Sequence, residues 1–174
     1  MLGKRNPQRG FFEADHLYGE WVGSRTFYGF LAAHRGQLFD EKDFAKLYCL
    51  TNGRPSVPPS LLATALLLQW HDDVADEEAR DRAKYDLRWK VALGVEIEEQ
   101  PYAKVTLQVF RAQLIVKQMA DTIFKEVLKL AAKQGVLRKG QALTVAQDTT
   151  PILGRGAVKD TYNRVPRMLM EGAM

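Results

Sequence analysis

Asp148 is the residue whose type and setting point most directly to chemistry. Just before it, Leu143 and Val145 alternate with small or polar neighbours, and Thr144 and Val145 favour extended backbone. The alternation predicts a strand over residues 141–148. A carboxylate at a strand end is where phosphoryl-transfer enzymes hold a divalent ion, which activates a water or hydroxyl and stabilises the leaving oxygen. Mg²⁺ takes oxygen ligands, often one or two carboxylates plus substrate phosphates. Asp148 is therefore a candidate catalytic residue and metal ligand. It fits equally as an Asx-turn residue opening the loop before Pro151.

Gly154, Arg155, Gly156 and Lys159 follow closely. Glycines there would let the backbone approach a phosphate, with Arg155 and Lys159 supplying charge. A flexible loop has the same composition. The Gly-x-x-x-x-Gly-Lys-Ser/Thr pattern is absent, which argues against P-loop nucleotide hydrolysis.

A second group lies on one predicted helix. Lys104, Gln108 and Arg111 recur at helical spacing, on a different stripe from Leu107, Phe110 and Leu114. Helix-turn-helix modules present such a polar, cationic stripe to the major groove, where Arg reaches guanine edges and Lys or Gln reaches phosphates or bases. An ordinary amphipathic helix with solvated Lys and Arg has the same pattern.

The elements that must position these residues are mostly helical. Pro58 and Pro59 suit a helix start, where their missing N–H groups would be unpaired anyway. The following helix, over residues 60–70, carries Leu61, Leu62, Ala65, Leu66, Leu67 and Leu68 around nearly its whole axis, which marks it as central and buried. After a turn at 71–75, Asp76 is placed as the N-cap of a helix over 76–85, with Glu77 and Glu78 at its positive end. Asp86 caps a short helix through Leu93, and Gly94 stops it. Residues 95–101 read as a polar loop. Thr106 is placed as the cap of the helix bearing the stripe. Residues 121–134 form another amphipathic helix, ended by Gly135. Residues 1–40 are rich in Gly and aromatics; Phe11, Phe12, Trp21, Phe27, Tyr28 and Phe30 are expected to pack through short helices.

Composition narrows the classes. The chain has 174 residues, 46% hydrophobic, enough for one globular core. No apolar run reaches the roughly 18 residues of a membrane span. Residues 1–10 lack the apolar stretch of a secretory signal, so a cytoplasmic location is expected. The single Cys49 excludes an internal disulfide framework, and His16, His34 and His71 share no ligand spacing. The net charge of +4 permits nucleic-acid binding without demanding it. The acids from Asp72 to Asp81 read as a solvated face.

The stretches NGRPSVPPSLLATALLLQW, DLRWKVALG, KVTLQVFR and DTTPILGRGAVKDTYN together resemble bacterial insertion-sequence DDE transposases with an InsH-type N-terminal domain, over roughly residues 11 to 163. The sixteen residues from Asp148 to Asn163 are the most specific part. The resemblance implies a mainly α chain: an arm with short helices over 1–40, a helical, helix-turn-helix-like DNA-binding domain over 41–138, and the first strand of a truncated RNase H-like domain over 139–163. It implies double-stranded DNA as partner, at the terminal inverted repeats, and Mg²⁺ as cofactor of the complete enzyme, with Asp148 matching the first aspartate of the triad. A homo-oligomer or association with intact transposase is also implied. Residues 164–174, RVPRMLMEGAM, depart from the pattern. The expectation is a truncated transposase that binds element ends without a complete triad. An Mg²⁺-dependent nuclease completed by a second polypeptide, and a helical interaction module or decayed product, are the alternatives.

Overall fold

The computed structural model describes residues 1–6, 10–49 and 53–135. These comprise seven α-helices: α1 (Ala14–Val22), α2 (Phe27–Leu38), α3 (Pro59–Asp72), α4 (Asp76–Tyr85), α5 (Leu87–Leu93), α6 (Lys104–Val116) and α7 (Ala120–Lys133), with a 3₁₀ helix at Glu41–Leu47 before α3. The chain divides into two units, Met1–Ile123 and Phe124–Met174. The strand expected over 141–148, and with it the RNase H-like part, lies outside the described residues. Among the described residues the extended pairing is one antiparallel bridge, Glu13 with Glu96.

The first unit is arranged around α3. Every residue of that helix from Pro59 to Gln69 is buried, as its near-continuous apolar surface requires. Proline opens it as expected: Pro58 is the N-cap and Pro59 the first helical residue. No side chain of the cap satisfies the first N–H groups. Glu41 does so from the 3₁₀ helix, accepting from Ser60 N at 3.0 Å and Ser60 Oγ at 2.6 Å. Phe44, Trp89, Leu93, Leu107 and Phe110 complete the core, each almost fully buried.

Helix ends follow local chemistry. Thr26 caps α2 by accepting from Gly29 N, and Asp86 caps α5 by accepting from Arg88 N at 2.9 Å. Gly94 ends α5 in the left-handed region, φ 62° and ψ 57°. Arg35 and Arg5 then cover the negative end of α5: Arg35 Nη1 donates to Val91 O at 3.2 Å and Arg5 Nη1 to Leu93 O at 2.6 Å. Two expected caps fall elsewhere. α4 starts from Ala75, so Asp76 is its first helical residue; α6 starts from Ala103, so Thr106 lies inside it. In both, the side chain given the capping role sits within the first turn.

The loop after α5 is pinned from beneath. Lys90 is only 2% exposed, and its Nζ donates to Glu96 O at 3.1 Å and Glu99 O at 2.6 Å. Burial lowers its pKa, against the opposing field of Glu99. Two carbonyl acceptors meet what would otherwise be an uncompensated buried charge. The aromatic arm differs from expectation: α1 and α2 are regular helices of 9 and 12 residues, while Phe11, Phe12 and Trp21 are exposed. In the second unit, the described residues belong to the C-terminal part of α7 and its end, where Lys129 pairs with Glu126 one turn earlier and Gly135 has φ 72°.

Candidate nucleic-acid interface

The stripe on α6 faces α4; Arg111 is buried, Lys104 half-buried and Gln108 exposed. Arg111 is 5% exposed. Its Nη2 donates to Asp76 Oδ1 and to Gln69 Oε1, both at 2.7 Å. Gln108 Nε2 donates to Asp76 Oδ2 at 3.0 Å. Gln69 Nε2 closes the group on Asp76 Oδ1 at 2.8 Å and on Val74 O at 3.1 Å. Lys104 lies at the rim, 39% exposed, with Nζ 3.2 Å from Glu77 Oε2. Desolvation would raise the Asp76 pKa; the hydrogen bonds from Arg111, Gln69 and Gln108 overcome it and lower the pKa.

Asp76 thus ties together the C-terminal part of α3, the start of α4 and the middle of α6. The connection from α3 to α4 is three residues, 73–75, with Asp73 in the left-handed region at φ 52°. Of the expected stripe, Arg111 is interior, while Gln108 and Lys104 remain accessible. In this arrangement the Arg111 guanidinium is engaged by Asp76 and Gln69 and holds helices together.

A second buried carboxylate, Asp72, ends α3, four residues earlier in the chain. Asp72 accepts from Tyr28 Oη at 2.7 Å and from His71 Nδ1 at 2.8 Å on one oxygen, and from Arg82 Nη1 at 2.6 Å and Trp89 Nε1 at 2.7 Å on the other. Desolvation opposes its charge, yet the hydrogen bonds hold its pKa down at about 2. His71 also stacks on Phe27, with ring centroids 4.1 Å apart. Asp72 and Asp76 correct the reading of residues 72–81 as a wholly solvated acidic face: their side chains are 4% and 6% exposed. The signal for Asp72 was available in Tyr28 and Trp89, whose polar atoms require partners when the rings are buried.

Asp148, Arg155 and Lys159 lie outside the described residues. Among the described residues no group of three His, Cys, Asp or Glu is placed to hold a metal ion, and no helix is long and apolar enough to cross a membrane. Charge is also unevenly distributed along the sequence. The described residues hold as many Asp and Glu as Lys and Arg, so the whole excess falls to Arg9 and residues 136–174.

The chain belongs to the transposase domain (DUF772) family, whose model matches residues 23–113. That span takes in α2 through most of α6, and with them Asp72, Asp76, Lys104, Gln108 and Arg111. No curated protein and no solved structure matches the chain.

Proposed function

We propose that this transposase-family chain binds duplex DNA in the cytoplasm, at the terminal inverted repeats of its insertion element. The observation that carries the reading is the family match over α2 to α6. The DDE, InsH-type assignment rests on the further resemblance of the stretch from Asp148 to Asn163.

The charge distribution supports a division of labour. Duplex DNA carries about one negative charge per 1.7 Å, so binding needs cations without internal partners. The described residues carry equal numbers of acidic and basic side chains and so add no net positive charge. The phosphate contacts are therefore assigned to Arg155 and Lys159, with Lys104 at the rim joining them on exchanging Glu77 for a phosphate. Gln108 is exposed and uses its Nε2 on Asp76, which leaves Oε1 as an acceptor for a base edge. Arg111 is assigned to the scaffold. Asp148 is proposed as one carboxylate ligand of an Mg²⁺ ion, which would supply electrostatic stabilisation at a phosphate.

A gel-shift series over salt tests this. The expected result is a preference for element termini over random duplex, weakening as salt rises. Arg155→Ala with Lys159→Ala should reduce the salt slope by about two, one for each phosphate that no longer meets a cation. No preference at moderate salt would overturn the reading. Asp148→Asn should leave binding in chelator unchanged and remove any strengthening by Mg²⁺.

A further inference from the structure

Gln108 is an exposed side chain whose amide is held at one end by a buried charge. Its Nε2 donates to Asp76 Oδ2 at 3.0 Å. Arg111 Nη1, the other donor to that oxygen, stands off at 3.4 Å. The short bonds of Arg111 Nη2 and Gln69 Nε2, 2.7 and 2.8 Å, fall on Oδ1 instead. Gln108 therefore supplies the close partner of Oδ2 on a carboxylate that is only 6% exposed. Desolvation opposes the Asp76 charge, but the hydrogen bonds from Arg111, Gln69 and Gln108 keep it ionised, and an ionised carboxylate only accepts. An amide turned the other way would set Oε1 against this oxygen and leave a buried acceptor short of its donor. The amino end of Gln108 is thus fixed inward, and the carbonyl end is left on the exposed side. The bond to Asp76 is the one hydrogen bond of Gln108 among the described residues.

We propose that Gln108 is an acceptor-only specificity residue: at one position of the DNA site it selects a base with an outward amino group, adenine or cytosine, and Asp76 positions it. The inference rests on duplex DNA being the ligand. Glutamine ordinarily reads adenine with two bonds, donating to N7 and accepting from N6. Here the donor is committed to Asp76. One bond remains, from the N6 amino group of adenine or the N4 amino group of cytosine to Oε1. Guanine O6 and thymine O4 would face Oε1 with lone pair against lone pair. The pattern is amino against keto, where an untethered glutamine would select adenine alone. Lys104 lies one turn earlier on the same stripe, 39% exposed, and its exchange of Glu77 for a phosphate would seat the helix beside that base.

A single bond sets the scale. A net hydrogen bond of ordinary strength corresponds to about a fivefold change in affinity. A bidentate contact gives more. Discrimination at this position is consequently shallow and shared by two bases.

Selection from a randomised duplex pool at moderate salt, followed by gel shift on the selected duplex, is the test. With the wild-type chain, one position should keep adenine and cytosine on the same strand within about threefold of each other, with guanine and thymine about fivefold or more weaker. In Gln108→Ala that position alone should become indifferent, and the salt slope should not change, because no phosphate contact is lost. The replaced side chain is exposed, and the variant should keep the wild-type helical spectrum. Modified bases at the same position test the wild-type chain directly. 7-Deazaadenine, which has no N7 acceptor, should bind like adenine, and purine without the amino group should fall to the level of guanine. A glutamine with a merely structural role would respond to neither base. A loss on 7-deazaadenine as large as that on the purine without an amino group overturns the proposal, since it shows a bidentate contact. A selected motif that Gln108→Ala leaves unchanged also overturns it and leaves the DNA reading standing. A wild-type chain that enriches no motif overturns both.

Discussion

Arg111 Nη2 lies 2.7 Å from Asp76 Oδ1, and both side chains are 6% exposed. This pair joins α6 to the α3–α4 turn. It places a residue whose type suggests DNA contact at the centre of the fold.

Removing one partner of a buried ion pair leaves the other charge uncompensated. Arg111→Ala is expected to lower unfolding stability by about 3–5 kcal/mol, measured by urea denaturation. Arg111→Met combined with Asp76→Leu removes both charges and keeps much of the volume, so it should cost distinctly less than either single change. Equal or greater loss in the double variant would mean that the pair adds net stability beyond its own desolvation.

Arg111 shows why the helices were legible in sequence and the polar interior was not. Periodicity locates α3, α5 and α6, because the apolar stripe and its stop residues are local features: Pro59, Asp86 and Gly94 each act on their own turn. Whether a cation on the edge of a stripe points in or out depends on what faces it. Arg111 is four residues after Leu107 and three before Leu114, so it borders the buried side. Its direction was decided by Asp76, 35 positions earlier. Asp72 was obscured in the same way, since its donors Tyr28 and Trp89 come from α2 and α5. The proposed DNA-contact and metal-ligand roles of Arg155, Lys159 and Asp148 rest on sequence alone.

Acid should loosen this protein through Asp72. Its folded pKa of about 2 lies below the ordinary aspartate value of 3.8. A depressed carboxylate contributes stability that is fully present above its unfolded pKa and is lost as pH falls through the folded one. Asp76 is shifted in the same direction. The urea midpoint should therefore hold near neutrality and fall between about pH 4 and 2. Asp72→Asn should be less stable at pH 7 and should show a shallower decline in that window. An unchanged decline would place the acid sensitivity elsewhere.

Gly94 is held at φ 62° where α5 turns into the loop, and a Cβ there would lie 2.0 Å from Arg35 Cζ. Gly94→Ala combines a strained backbone with displacement of a guanidinium that covers the helix end. The expected loss is about 1–3 kcal/mol in thermal or urea unfolding. Adding Arg35→Ala relieves the collision and leaves the strain, so the two losses should be less than additive.

The four donors on Asp72 differ in what their removal does. Tyr28→Phe takes away one neutral donor and leaves His71, Arg82 and Trp89 in place. Trp89→Phe takes away a donor from the largest of the fully buried side chains and also leaves unfilled space beside α5. A hydrogen bond to a charged group contributes about 1.5–3 kcal/mol. Tyr28→Phe should fall at the low end of that range, because its side chain is partly exposed and water replaces the hydroxyl. Trp89→Phe should exceed it through the added cavity. Both should raise the Asp72 pKa and move the acid transition upward, measured as the pH of half-unfolding at fixed urea. If Tyr28→Phe lowers stability and leaves that pH unchanged, its hydroxyl supports packing and does not stabilise the carboxylate.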